Sequence, residues 1–193
     1  MQLLPIFNTA IAEQLPTASF FQLLNKDQCA SIIDTYGQTK ADPARIAGEV
    51  LDKKKRSATV HTVPHGEDSK WLYELISSRV AQYNQFGYEF DVAGIYQDFQ
   101  LIKYEEGDHY DWHLDIGPGL ASYRKLSVVI QLSSPEDYEG GELVVNAGTE
   151  RVCPKDQGQI ILFPSYILHK VTPVTKGTRW SLVCWVLGCR RFR

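Results

Sequence analysis

The chain has 193 residues, of which 44% are hydrophobic and 22% charged, with a formal net charge of −3 at neutral pH. That balance fits one globular domain large enough to bury a full core, and the slight acidity gives no general attraction to nucleic acid. The longest apolar runs, such as Ile160 to Phe163, are far too short to span a bilayer, so no membrane association is expected. In chain order, residues 1–24 read as an extended lead-in. Met1 to Ala12 has no basic start and contains Pro5, so no signal peptide is expected. Asn25 and the KDQCASIIDTYG that follows read as an N-capped helix ending at Gly37, with Cys29, Ile32, Ile33 and Tyr36 at helical spacing. Residues 38–67 carry Pro43, Gly48, the basic run Lys53-Lys54-Lys55-Arg56, Pro64 and Gly66. This segment reads as mobile, with one short strand over Ala58 to Val63. Such a segment, long and poor in apolar periodicity, is a candidate cover for a site. Asp68 to Phe86 is a second helix, with Trp71, Leu72, Leu75, Ile76, Val80 and Tyr83 as its buried stripe.

From about residue 90 the pattern changes to short strands. They are expected over Asp98–Tyr104, Tyr110–Leu114, Lys125–Leu132, Gly141–Asn146, Gln159–Phe163, His169–Val171 and Thr178–Leu187. Gly107, Gly117-Pro118-Gly119, Pro135, Gly140-Gly141, Gly148 and Lys176-Gly177 supply the turns. So many strands in so short a stretch predict a mainly β, α+β fold: a jelly-roll sandwich with the N-terminal helices packed on one sheet. One domain is expected over 1–193, with 1–90 as helical support and cover and 91–193 as the jelly-roll core. Gly140-Gly141 reads as a hairpin requirement for positive φ.

Cys29, Cys153, Cys184 and Cys189 form no C-x-x-C pair, so they read as reduced thiols of a cytoplasmic protein. Cys184 is expected in the core and Cys189 near the surface. The chemistry lies elsewhere. His113-Leu114-Asp115 is followed far downstream by His169 and then, ten positions on, by Arg179. Residues two apart on a strand share a face, so His113 and Asp115 can chelate one ion and His169 can complete the set. Two imidazoles and one carboxylate are the facial ligand set of non-haem Fe(II) oxygenases. His109-Tyr110-Asp111 has the same spelling, and spacing alone does not separate the two pairs. A zinc hydrolase would need a general base, and no H-E-x-x-H is present. Arg179 lies in an apolar strand beside Trp180, Leu182, Val183 and Trp185, where a guanidinium is costly without an anion. Its planar fork suits a carboxylate. Thr178, Ser181 and Tyr104 are candidate hydroxyl donors to the same carboxylate. His61 and His65 read as solvated histidines, and Trp112 and Trp185 as core or pocket wall.

Three stretches resemble the prolyl-4-hydroxylase-like group of Fe(II)/2-oxoglutarate dioxygenases: Tyr104 to Asp115 (YEEGDHYDWHLD), Gly140 to Leu143, and Phe163 to Trp185. The resemblance favours His113/Asp115 over His109/Asp111, because Tyr104 and Tyr110 then fall where that family places aromatic residues. It implies a double-stranded β-helix, with His113, Asp115 and His169 on Fe(II) and Arg179 on the far carboxylate of 2-oxoglutarate. It also implies hydroxylation of a substrate C–H bond by O2, with release of succinate and CO2 and with ascorbate as an optional reductant. The retained Asp115 favours hydroxylation over halogenation. A peptidyl, prolyl-type substrate is expected, with a free amino acid or other small metabolite as the alternative. Arg56, Tyr110 and Trp185 are the candidate substrate contacts. A nucleic-acid substrate is less favoured. A non-catalytic jelly-roll binding module is the reading of another class. The sequence gives no oligomeric state.

Overall fold

The computed structural model describes residues 17–44 and 52–192. Two α-helices lie in the N-terminal half. In α1 (Lys26–Tyr36), the Asn25 side chain accepts from the Gln28 amide at 2.8 Å, and the Gln28 side chain accepts from the Asn25 amide at 2.9 Å. This reciprocal cap satisfies two donors that a helix start leaves orphaned, and Gly37 ends the helix as expected. The second helix, α2 (Lys70–Phe86), starts two residues later than the sequence pattern suggests.

The strands form two main sheets with every pairing antiparallel. The larger sheet runs in the order β1 (Ser19–Gln22), β12 (Gln159–Pro164), β8 (Arg124–Gln131), β15 (Arg179–Gly188), β6 (Phe99–Tyr104), β4 (Thr59–Val63) and β2 (Ala41–Pro43), with β5 (Val92–Gly94) on the end of β15. The smaller sheet runs β11 (Glu150–Val152), β10 (Leu143–Asn146), β13 (Leu168–Val171), β7 (His109–His113) and β3 (Arg56–Ser57). A ribbon of β9 (Tyr138–Gly140) and β14 (Val174–Gly177) closes one end. The seven strands expected from the sequence all occur within a few residues of their expected bounds. The short strands β1, β2, β3, β5, β9, β11 and β14 carry no periodicity of their own and were not expected. No helix among the described residues is long and apolar enough to cross a membrane.

Strand alternation divides the larger sheet into two faces. Leu101, Val128, Ile130, Leu162 and Leu182 face Leu72, Ile76 and Val80 of α2 in one core. Ile102, Val129, Ile161 and Phe163, their neighbours along the same strands, face Leu143, Val145 and Val171 of the smaller sheet in a second core. Both faces are therefore buried, which is why β8 and β12 read as near-continuous apolar runs.

Two expectations need correction. Much of 38–67 is sheet and not mobile loop: β2 and β4 extend the larger sheet and β3 edges the smaller one. Residues 45–51, like 1–16 of the lead-in, lie outside the described residues. His61 is buried, not solvated; its Nδ1 sits 3.1 Å from the Thr39 carbonyl and its ring lies against Trp180. Hydrogen bonding and an aromatic neighbour compensate its burial.

Candidate metal centre

β7 and β13 are neighbours, and His113 is the register partner of His169. The next pair along the ladder is Tyr110 with Val171, so β7 spends three residues where β13 spends two. This β-bulge breaks the alternation. Tyr110 and His113 end on one face, whereas unbroken alternation would have put Tyr110 with Trp112. Trp112 instead meets Lys170, whose ammonium lies 4.2 Å from its ring. The bulge also separates the two H-x-D pairs. His109 reaches the Lys54 carbonyl and Asp111 is exposed, while His113, Asp115 and His169 bring their ligand atoms within 4.8 Å of one another.

Backbone carbonyls orient both imidazoles. His113 Nδ1 donates to the Asp111 carbonyl at 2.8 Å, and His169 Nδ1 to the Ile167 carbonyl at 2.9 Å. Each Nε2 is then left with a lone pair and turned to the shared point, 3.8 and 3.4 Å from the Asp115 oxygens. Asp115 follows the end of β7; its amide donates to the Ser165 carbonyl, and Oδ2 accepts from the Ser127 hydroxyl at 2.6 Å. Burial opposes ionisation of Asp115, but His169, His113 and Ser127 outweigh it and hold the carboxyl below its usual range. Burial, with His169 beside it, lowers the His113 imidazole to about 3. Neutral imidazole and ionised carboxylate are the ligand-competent forms.

A cavity between the sheets runs from His113 and His169 to Arg179 and includes Tyr104, Ser181 and Tyr110. Arg179 is 1% exposed, and the register places it opposite Tyr104. Its Nη2 donates to Gln131 at 2.8 Å and its Nη1 lies 3.4 Å from the Ser181 hydroxyl, with the guanidinium carbon 5.4 Å from the Tyr104 ring. Arg179 Nε is buried without a hydrogen-bond partner, and the Tyr138 phenol lies against the guanidinium. A buried guanidinium with donor capacity to spare suits an anion. The residues present therefore fit a metal ion with a dicarboxylate beside it.

Of the expected residues, Tyr104, Tyr110, Ser181 and Arg179 share this cavity with His113 and His169. Thr178 does not. It falls between β14 and β15 and lines a cleft with Ile33 of α1 and Trp180. Trp185 lies outside the cavity, in a groove of about 740 Å³ that passes Asp115 and also touches Tyr110. Arg124 lies across it with its guanidinium carbon 3.7 Å from the indole centroid. Arg56 borders neither space; it packs on Tyr110. Sequence reasoning missed Ser127, Gln131, Tyr138 and Arg124. Ser127 and Gln131 did leave a signal, being polar at every fourth place on the inner face of an apolar strand. Gly141, at φ 61°, approaches both sides of the anion end: an added Cβ would stand 3.1 Å from Arg179 Cδ and 3.3 Å from the Tyr138 ring.

Residues 99–187 match the profile of the 2OG-Fe(II) oxygenase superfamily. The chain is 40% identical over 87 residues to a PKHD-type hydroxylase of Idiomarina loihiensis, covering 45% of this chain and 40% of that protein. It is 44% identical over 87 residues to a PKHD-type hydroxylase of Gloeothece citriformis, again covering 40% of the relative and 44% of this chain. The chain thus spans about 40% of the length of the curated relatives it matches. Among solved structures, a Pseudomonas putida prolyl-4-hydroxylase superposes with a TM-score of 0.72 at 20% identity, covering 90% of this chain and 94% of that one. A prolyl hydroxylase from Trichoplax adhaerens, in complex with a hypoxia inducible factor peptide fragment, gives 0.74 at 17% identity, covering 89% and 83%. These likenesses establish the double-stranded β-helix fold.

Proposed function

We propose that this chain is an Fe(II)- and 2-oxoglutarate-dependent dioxygenase that hydroxylates a C–H bond of a peptidyl, prolyl-type substrate. The observation that carries the reading is one cavity with two oriented Nε2 atoms at one end, the Asp115 carboxylate within 4.8 Å of them, and a buried, under-used Arg179 at the other end. His113, Asp115 and His169 would hold the metal, and Arg179, with Tyr104 and Ser181 beside it, the far carboxylate of the co-substrate. Bound there, Fe(II) and 2-oxoglutarate supply oxidation of C–H to C–OH by O2, with succinate and CO2 as the other products; ascorbate serves as an optional reductant.

The protein's own part is positioning. The carbonyls of Asp111 and Ile167 keep both imidazoles in the tautomer that presents Nε2. Ser127 fixes the rotation of the Asp115 carboxylate. Ile102, Val129 and Val183 line the cavity and exclude water around the dicarboxylate.

The groove past Asp115 supports a peptide over a small metabolite. Gln100 Oε1 and Arg124 Nε border it and are buried without a hydrogen-bond partner, beside Trp185, whose side chain turns to Asp115. One acceptor and one donor match the N–H and C=O of an amide. Cys29, Cys153 and Cys184 are free and buried, which suits a reducing cytoplasm. Succinate formation that requires Fe(II) and 2-oxoglutarate tests the class. A chain that binds both without forming succinate would be a binding module. Hydroxylation of a free amino acid in preference to proline-containing peptides would replace the peptide reading.

A further inference from the structure

The basic run Lys53–Arg56 is not uniform. The three lysines are exposed, whereas Arg56 is 8% exposed. Its guanidinium carbon lies 4.5 Å from the centroid of the Tyr110 ring. That ring is stacked in turn on the His113 imidazole, with centroids 3.4 Å apart and planes inclined by 13°. Arg56, Tyr110 and His113 thus form one column, running from the edge strand β3 to the first histidine of the triad.

The backbone builds this column deliberately. β3 is two residues long, and its partner is β7, with Arg56 opposite Tyr110 and Ser57 opposite His109. The Asp111 amide donates to the Lys55 carbonyl at 2.8 Å, His109 Nε2 meets the Lys54 carbonyl at 3.0 Å, and the Ser57 hydroxyl donates to the Asp108 carboxylate. The bulge in β7 supplies the remaining condition by turning Tyr110 and His113 to one face.

A guanidinium over an aromatic face recovers part of the cost of its burial. A ring clamped between that cation and an imidazole restricts the imidazole plane, which the single Nδ1 bond to Asp111 leaves free to tilt. Groups behind a ligand that set its orientation influence metal affinity as well as geometry.

We propose that Arg56 is a positioning residue for the metal centre: acting through Tyr110, it fixes the plane of the His113 ring and the direction of Nε2. This rests on the reading of His113, Asp115 and His169 as the metal site. It reassigns Arg56 from the substrate to the support of a ligand. It also gives the two-residue strand β3 a purpose in the smaller sheet.

Co(II) added to the metal-free full chain is the probe, followed by calorimetry and by its visible absorption bands, which report ligand geometry without turnover. Arg56→Met and Tyr110→Leu should each weaken Co(II) binding by about three- to tenfold and shift the bands. Arg56→Lys and Tyr110→Phe, which keep the cation and the ring, should restore most of both. The double variant Arg56→Met/Tyr110→Leu should be no worse than the weaker single variant, because the two act through one column. If Arg56→Met does not fold, Tyr110→Leu against Tyr110→Phe carries the same comparison. Unchanged affinity and bands in Arg56→Met, or additive losses in the double variant, would overturn the positioning role and leave the metal site standing. An unaltered chain that binds no Co(II) would overturn the metal site and the positioning role together.

Discussion

The two H-x-D pairs both start on β7 and share a spelling but not an environment. His113 and Asp115 turn inward to His169, and their pKa directions favour the ligand-competent forms. His109 lies between the carbonyls of Gly107 and Lys54, and Asp111 is exposed. The difference comes from one extra residue in β7 between Tyr110 and His113. A bulge changes which side chains face inward at no cost in composition, so function here depends on where the ladder slips as much as on which residues are present.

The sharpest way to break this contrast is to remove each first histidine in turn. His113→Ala should abolish metal-dependent succinate formation and weaken Co(II) binding by about 100-fold or more, since it deletes a ligand and leaves Asp115 under-compensated. His109→Ala should retain most of both. Reversed results, read by calorimetry and succinate assay, would move the metal to His109 and Asp111.

β15 offers the converse case, a strand whose alternation is unbroken around Arg179. Arg179→Ala should raise the 2-oxoglutarate requirement by well over an order of magnitude, because losing one buried charged partner costs about 2–5 kcal/mol. Co(II) affinity should stay near its original value. Thr178→Ala, just before the strand and in the cleft beside α1, should change neither. A matching loss in Thr178→Ala, in a titration of 2-oxoglutarate against succinate yield, would mean that the cavity beside Arg179 does not decide who meets the co-substrate.

These cases show what the sequence made legible. Regular elements with a strong period were readable: α1 from Asn25 to Gly37, α2, and the seven long strands. The candidate triad and Arg179 were readable because ionisable side chains in apolar strands are expensive and therefore conspicuous. The choice between two H-x-D pairs was not readable from spacing, since a bulge leaves no mark in a five-residue strand. Nor were β2 and β3, whose pairing is dictated by the strands they lie against. Thr178 was misplaced for a simpler reason. It was grouped with Arg179 by proximity in sequence, whereas it falls in the one-residue gap between β14 and β15. Ser127 and Gln131 were overlooked because they are polar singletons in a strand otherwise identified by its apolar content.

A smaller effect is expected one step behind the ligands. Ser127→Ala removes the 2.6 Å bond to Asp115 Oδ2 and leaves the carboxylate with one orienting partner fewer. Co(II) affinity should fall by about tenfold, and Ser127→Thr, which keeps the hydroxyl, should recover part of it. Affinity unchanged in Ser127→Ala would show that the two histidines alone fix the carboxylate.

The smallest effect, and the one that returns to the original pair, is in pH. The Lys54 carbonyl, opposed by partial burial and helped by Gly107, Asp108 and Asp111, raises the pKa of His109 above its ordinary value. Both ring nitrogens face carbonyl oxygens, so only the imidazolium satisfies both. His113 moves the other way, to about 3. The two therefore contribute opposite slopes to the stability of the metal-free protein. Around His109 the folded state binds more protons than the unfolded chain. Its stabilisation is fully present below the unfolded value of about 6.5 and is lost as pH rises through the folded value. Around His113 the unfolded chain binds more protons, so stability rises with pH from about 3 to 6.5 and is then flat. Denaturation midpoints of the metal-free chain between pH 5 and 8, in an experiment on about that range, should separate them. His109→Gln should flatten the decline above neutrality, and the 15N shifts of His109 should titrate above the ordinary histidine value. A His109 resonance titrating below that value would mean that the Lys54 carbonyl does not hold the imidazolium, and that this end of β7 is fastened to β3 by its backbone alone.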